Sequence, residues 1–271
     1  MKIVFFTRKK LLIIIFAILV IISVIYLCNA SYSANTIVVE LAWNTKVSNE
    51  WLEKIEKLTE GEDKIAYLTF DDGPTTSVTP KILDILKEQD IKATFFVIGK
   101  YVDRHPEIVK RAYEEGHYIA NHGYDHNNSK MYQSSESFSE EIEKTDLAIA
   151  NAIGVENYCS HVFRFPNGFM SPQNKDKKKN AVSLLEKMDY TYIDWNCLNN
   201  DSIKKYTNQQ LLNNLKKSSK NKNTLVVLMH DTKDVNDSSL VLKESISYLK
   251  SQGYEFRNFY SVLDRSQNFI K

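Results

Sequence analysis

Asp71 and Asp72 stand side by side after one apolar run, and His122 and His126 stand four residues apart after another. Adjacent carboxylates repel, a cost that is offset when one holds a cation and the other has a different task. Two imidazoles at this spacing can face one ion from a turn or a short helix. One Asp with two His makes three protein ligands and keeps positions open for water and substrate, the pattern of a catalytic rather than a structural metal site. Arg164 and Asn167 accompany a third run, a fourth ends at Trp195 with Asp201 close behind, and a fifth run containing Leu228 delivers His230 and Asp231. Each alone has a plainer use. Asp71-Asp72-Gly73-Pro74 is turn chemistry, His-x-x-x-His is common on surfaces, Arg164 suits a buried ion pair and His230 a core histidine. Lys177-Lys178-Lys179 reads as a solvated helix face. Order and placement together favour a site.

The elements that must position these residues alternate. IAYLTF (65–70), TFFVI (94–98), HYIAN (117–121), VFRF (162–165), YTYIDW (190–195), TLVVLM (224–229) and YEF (254–256) read as seven strands. Helical patterns separate them. One opens at Thr79-Pro80, one at Pro106 ends before Gly116, and one around 137–153 ends at Gly154. A Lys-rich helix covers about 175–188, a capping box at Thr207–Gln210 opens a helix to Ser218, and a last one covers 238–251. Strand–helix alternation predicts a parallel sheet with helical crossovers. No Gly-rich dinucleotide fingerprint follows any strand, which favours a barrel with its chemistry just after the C-terminal strand ends.

The 271 residues carry 35 Lys and Arg against 34 Asp and Glu, so net charge points to no nucleic-acid partner. Three Cys make no disulfide framework, and Cys159 and Cys197 read as small buried hydrophobes whose pairing the sequence leaves open. Residues 1–10 hold Lys2, Arg8, Lys9 and Lys10 and no acid; Leu11 to Cys28 is apolar except for Ser23. As a helix that run spans about 27 Å, enough for a bilayer core. The cationic flank puts residues 1–10 in the cytoplasm and exports the rest. Single-pass anchoring in the cell membrane is expected, with secretion after cleavage near Ala30 as the alternative. Residues 29–62 read as a stalk, with a short strand at Ile37–Val39 and a short helix from Asn49 to Glu60, and the catalytic domain is placed at 63–265.

Thr69-Phe-Asp-Asp-Gly-Pro74, Asn121-His-Gly-Tyr-Asp-His126, Arg164-Phe-Pro-Asn-Gly168, Trp195-Asn with Asp201, and Leu228-Met-His230 occur in the order seen in polysaccharide deacetylases, the NodB-homology domain of carbohydrate esterase family 4. The chain resembles that family over about residues 63–265. The resemblance implies a distorted (β/α)7 barrel, TIM-like, here preceded by one N-terminal transmembrane helix. It implies a hydrolase of N-acetyl groups on GlcNAc or MurNAc of peptidoglycan. The alternatives are an O-acetyl esterase on xylan-type glycans and a catalytically silent wall-binding protein. Carried over by motif, Asp71 matches the catalytic base, and Asp72, His122 and His126 match the metal ligands. Arg164 matches the arginine that pairs with the base, His230 the catalytic acid and Asp201 its orienting carboxylate. Trp195 and Leu228 match the acetyl pocket, and the Asn167 N–H matches an oxyanion donor. The implied cofactor is a divalent ion, Zn first, with Co, Ni, Mn or Fe as alternatives, and no organic cofactor. The implied partners are cell-wall glycan and, through the N-terminal helix, the lipid bilayer. Gly123 departs from the family's Ser or Thr, Asn167 from a bulky residue and Ser202 from a Trp.

Overall fold

The computed structural model describes residues 49–262. The apolar run 11–28, the Ile37–Val39 strand and the end of the 63–265 span lie outside the described residues. Among those described, no helix is long and apolar enough to cross a membrane.

Strand β1 (Ile65–Asp71) is the axis of the sheet, and every residue in it is buried. Its neighbour β7 (Thr224–His230) is buried up to His230. Such continuous apolar runs suit parallel strands covered on both faces. The others are β2 (Thr94–Val97), β3 (Tyr118–Asn121), β4 (Val162–Phe163), β5 (Thr191–Tyr192), β6 (Cys197–Leu198) and β8 (Glu255–Arg257). All pair in parallel in the order β5-β4-β3-β2-β1-β7-β6. β8 joins the first half of β1, at 65–67, while β2 joins its second half, at 69–71. The sheet curls into the expected (β/α)7-type barrel, open between β5 and β6.

Helix α1 is Asn49–Glu56, α2 Thr79–Glu88, α3 Gly99–Arg104, α4 Pro106–Glu114, α5 Asn128–Met131, α6 Ser135–Ile153, α7 Lys175–Lys187, α8 Asn208–Ser219 and α9 Ser239–Ser251. Helix α6 begins two residues before the expected start because the Ser134 hydroxyl accepts from the Ser137 N–H, and it ends on Gly154 at φ 73°. The capping box at Thr207 and Gln210 is formed.

Three differences from the sequence reading have local causes. Strand four stops at Phe163 because Arg164 turns inward and Pro166 has no N–H to lend. Strand five shrinks to Thr191–Tyr192, and an unanticipated β6 follows it, pairing Cys197 with Val227 and Leu198 with Leu228. Residues 49–60, read as part of a stalk, are docked on the domain. Ile55 and Leu58 are buried in the main core, and the Thr191 hydroxyl donates to Glu56 Oε1 at 2.6 Å.

Candidate active site

Parallel register sets Asp71 at the end of β1 opposite His230 at the end of β7 and Phe96 on β2. The expected rim therefore forms. Asp71 is buried, and Arg164, fully buried, donates from Nη1 to Asp71 Oδ1 at 2.8 Å and to Thr69 Oγ1 at 2.7 Å. Its Nε donates to Ile193 O at 3.0 Å and Nη2 to Asp194 O at 3.3 Å. Phe96 packs beneath the guanidinium, ring centroid 3.9 Å from Cζ. A buried cation persists only when its donors find acceptors and its charge is paired; here four of the five N–H donors are bonded and Asp71 pairs the charge.

Asp72 leaves the strand at φ 75° and turns toward the histidines. The Nε2 atoms of His122 and His126 each lie 3.3 Å from Asp72 Oδ1, and the three ligand atoms fall within 4.8 Å of one another. His122 Nδ1 lies 2.7 Å from Arg164 O, so that nitrogen carries the proton and Nε2 keeps its lone pair. Asp72 Oδ1 is buried with no hydrogen-bond partner among the described residues. Burial opposes ionisation of Asp72, but His122, His230 and His126 hold its carboxyl well below the usual range. Burial also opposes charge on His122, yet Asp72 and Asp71 raise its pKa. Burial and His122 together push His126 down to about 4. An unpartnered carboxylate oxygen, a neutral imidazole and a second imidazole drawn toward positive charge fit a divalent cation.

The loop between the ligands is braced from below. Asn121 Oδ1 accepts from Gly123 N at 2.9 Å, and Asn121 Nδ2 donates to Ile142 O and to Asp146 Oδ1, each at 3.0 Å. Buried Glu141, on α6, accepts from the N–H groups of Tyr124 and Asp125 at 2.8 Å each. Gly123 stands at φ 83°, and a Cβ there would come within 2.4 Å of Met131 Cε. Helix α5 thus occupies the space a Ser or Thr side chain would need.

Across the rim, His230 Nδ1 donates to Asp201 Oδ1 at 2.7 Å, and the His230 N–H to Oδ2 at 2.8 Å. The Ser238 hydroxyl also donates to Oδ2, and Asn236 Nδ2 to Asp201 O at 2.6 Å. Burial lowers the imidazole pKa, but the Asp201 bond and charge, aided by Asp71 and Asp72, raise it to about 9. Nε2 is left facing the site, 3.9 Å from Asp72 Oδ2. Ser238, Asn236 and Glu141 escaped sequence reasoning. For Glu141 a signal existed: it lies on the inward stripe of α6 with Phe138, Ile142 and Thr145.

Phe165-Pro166-Asn167-Gly168 forms a turn closed by Gly168 N to Phe165 O at 2.7 Å, with Asn167 at φ 64°. Pro followed by a left-handed residue is type II chemistry, which accounts for Asn where a bulky residue was expected. Trp195 lies over Gly168, and Leu228 lies on the same face of β7 as His230, one pleat back. A polar groove of about 460 Å³ opens beside Asp72 and His126, with Thr75, Ser77, Tyr101 and Thr232 in its walls. The Lys177–Lys179 run is not wholly a solvated face. Lys178 is fully buried, and its Nζ donates to Gly168 O at 2.6 Å. Cys159 and Cys197 are free thiols, and burial pushes that of Cys197 up to about 11.

The family profile described as polysaccharide deacetylase matches residues 59–193. The chain is 36% identical over 213 residues to a peptidoglycan-N-acetylglucosamine deacetylase of Bacillus cereus, covering 77% of this chain and 74% of that one. It is 36% identical over 194 residues to the peptidoglycan-N-acetylglucosamine deacetylase PgdA of Listeria monocytogenes, covering 72% of this chain and only 38% of the longer relative. Among solved structures, the catalytic domain of a peptidoglycan N-acetylglucosamine deacetylase from Eubacterium rectale superposes with a TM-score of 0.67. It is 29% identical, and the match covers 74% of this chain and 90% of that one.

Proposed function

The chain belongs to the polysaccharide deacetylase family, and from that premise we propose that it is a metal-dependent hydrolase of N-acetyl groups on peptidoglycan, releasing acetate and a free amino sugar. One observation carries the reading. A carboxylate held by a buried arginine and an imidazole held by a buried carboxylate flank an Asp-His-His triad whose Oδ1 lacks a partner.

Asp72, His122 and His126 would hold a divalent cation, Zn preferred with Co, Ni, Mn or Fe fitting the same donors, and such an ion would supply Lewis acidity and lower the pKa of a water. Asp71 takes the proton of the attacking water, and Arg164 keeps that carboxylate oriented through Nη1. The Asn167 N–H donates to the oxyanion that develops on the acetyl oxygen. His230 gives the Nε2 proton to the departing nitrogen, and Asp201 holds the ring in that orientation. Trp195 and Leu228 wall the acetyl methyl group.

The substrate proposed is GlcNAc or MurNAc of the wall, in line with the names of the relatives. Anchoring by residues 11–28, with the catalytic domain outside, would put the rim within reach of that glycan. The test measures acetate release from peptidoglycan, chito-oligosaccharide and acetyl-xylan in parallel, before and after chelation. Chelator-sensitive release from peptidoglycan is expected. Release from acetyl-xylan alone would make the protein an O-acetyl esterase, and no release from any of them would make it a silent wall binder. Recovery of the protein in the medium with Ala30 removed would replace anchoring by secretion.

A further inference from the structure

Two charged side chains outside the proposed mechanism converge on the turn that carries Asn167. Lys178 projects from α7 and is fully buried, although the pattern around it is that of an exposed, Lys-rich helix. Its Nζ donates to Gly168 O at 2.6 Å, a carbonyl that among the described residues otherwise takes only the Ser171 N–H at 3.4 Å. From the other side, Asp194 accepts two successive backbone N–H groups, Phe169 to Oδ1 at 2.8 Å and Met170 to Oδ2 at 3.0 Å. The next residue, Trp195, closes over Gly168 so tightly that a Cβ there would come within 2.7 Å of its ring.

Burying an ammonium is costly where an apolar side chain of similar length could fill the space. The turn explains its presence. Internally the turn has one bond, from Gly168 N to Phe165 O, and its Asn167 is exposed in a left-handed conformation. The Asn167 N–H donates to no acceptor among the described residues. Without external support such a turn moves, and a donor misplaced by a fraction of an ångström stabilises an oxyanion poorly.

We propose that Lys178 and Asp194 are positioning residues that clamp the Phe165–Gly168 turn from both sides and so hold the Asn167 N–H where negative charge develops on the acetyl oxygen. The role rests on the deacetylase reading above. The clamp also ties this donor to the base: Asp194 O accepts from Arg164 Nη2, and Arg164 Nη1 donates to Asp71. Oxyanion donor and base thereby share one frame.

The test uses the full-length chain in detergent, with Lys178→Met and Asp194→Asn. Amide hydrogen exchange over 165–170, metal content, and kcat and KM on an N-acetyl chito-oligosaccharide are measured together. Exchange at Gly168 and Phe169 should accelerate in both variants. Their kcat should fall by about 10- to 100-fold, below the loss for deleting a donor outright. KM and metal content should hold, since a contact made only in the transition state is what weakens. Unchanged exchange, an unchanged kcat, or a loss confined to KM or metal content would overturn the clamp. Asp194 is half-buried and tolerates the amide, so Asp194→Asn decides the matter where Lys178→Met impairs folding. A parent chain that releases no acetate sinks the deacetylase reading instead, and the positioning role with it.

Discussion

The bond between His230 and Asp201 makes a quantitative demand on the pH profile. The imidazole pKa stands at about 9 against an ordinary 6.5, and Asp201 is the main upward influence against burial. That span is worth about 3 kcal/mol of preference for the imidazolium. In Asp201→Asn the accepting charge is gone while burial remains, so the pKa should fall to 6.5 or below. At pH 8 a group of pKa 9 is about 90% protonated and one of pKa 6.5 about 3%. An acid that works only when protonated then loses about 30-fold at pH 8 but less than about 2-fold at pH 6.

The assay is kcat/KM on an N-acetyl oligosaccharide from pH 5.5 to 10, with metal content followed in parallel. The alkaline limb should lie near 9 in the parent chain and move acidward by two units or more in the variant. His230→Ala should lose about 10²- to 10⁴-fold without an alkaline limb of this origin, and should lose less on an ester with a good leaving group. Parallel profiles, with the same limb and a uniform loss, would refute general-acid action and leave His230 as a positioning residue. Stability carries the same sign. The raised pKa contributes fully below about 6.5 and is lost as pH rises through about 9. The melting gap between the metal-free parent and Asp201→Asn should therefore be widest at pH 6 and close toward pH 10.

Metal analysis of Asp72→Ala, His122→Ala and His126→Ala should each show reduced bound ion, whereas Asp71→Asn should keep the ion and lose turnover; the opposite pattern between Asp71 and Asp72 reverses their roles. Glu141→Ala removes the one oxygen, Oε2, that accepts from both the Tyr124 and Asp125 N–H groups. Metal affinity measured by competition with a chelator should fall about 10- to 100-fold, and an unchanged affinity would make Glu141 a helix brace only. Ile55→Ala should destabilise the domain by about 2–5 kcal/mol in urea unfolding, since Ile55 is fully buried; a cost near zero would return residues 49–60 to the stalk.

The residues of the rim were legible because each lies in or just after a run of apolar residues long enough to register as a strand. Parallel pairing then delivers the strand ends to one edge, as Asp71 opposite His230 shows. Where strands contract to two residues, periodicity has nothing to act on. β6 at Cys197–Leu198 was therefore invisible, and the runs at 162–165 and 190–195 looked longer than they are. Charged residues on inward stripes are hard to place for a different reason. Lys178, Ala181 and Leu185 share one buried face of α7, at spacings of three and four. Composition spoke for solvent at Lys178, but its position spoke for the interior. The same conflict occurs at Glu141, and in both places the buried charge meets backbone groups of a site loop. Ile55 and Leu58 also carried a helical spacing, but the surface that receives them comes from residues far along the chain.

Arg164 explains how a two-residue strand can organise so much of the rim. Its guanidinium uses one nitrogen for Asp71 and Thr69 and the others for Ile193 O and Asp194 O, which ties β1 to the segment that follows β5. Its own carbonyl accepts from His122 Nδ1. One residue thus orients the carboxylate proposed as base and fixes the tautomer of a ligand proposed for the ion. The left-handed backbone at Asp72 completes the separation. Along a regular strand Asp71 and Asp72 would point to opposite faces, whereas φ 75° swings Asp72 to the imidazoles and leaves Asp71 to the arginine. Adjacent carboxylates are tolerable here because each meets positive charge of its own: a permanent guanidinium for Asp71, and for Asp72 an imidazole pair whose electrostatics call for a cation.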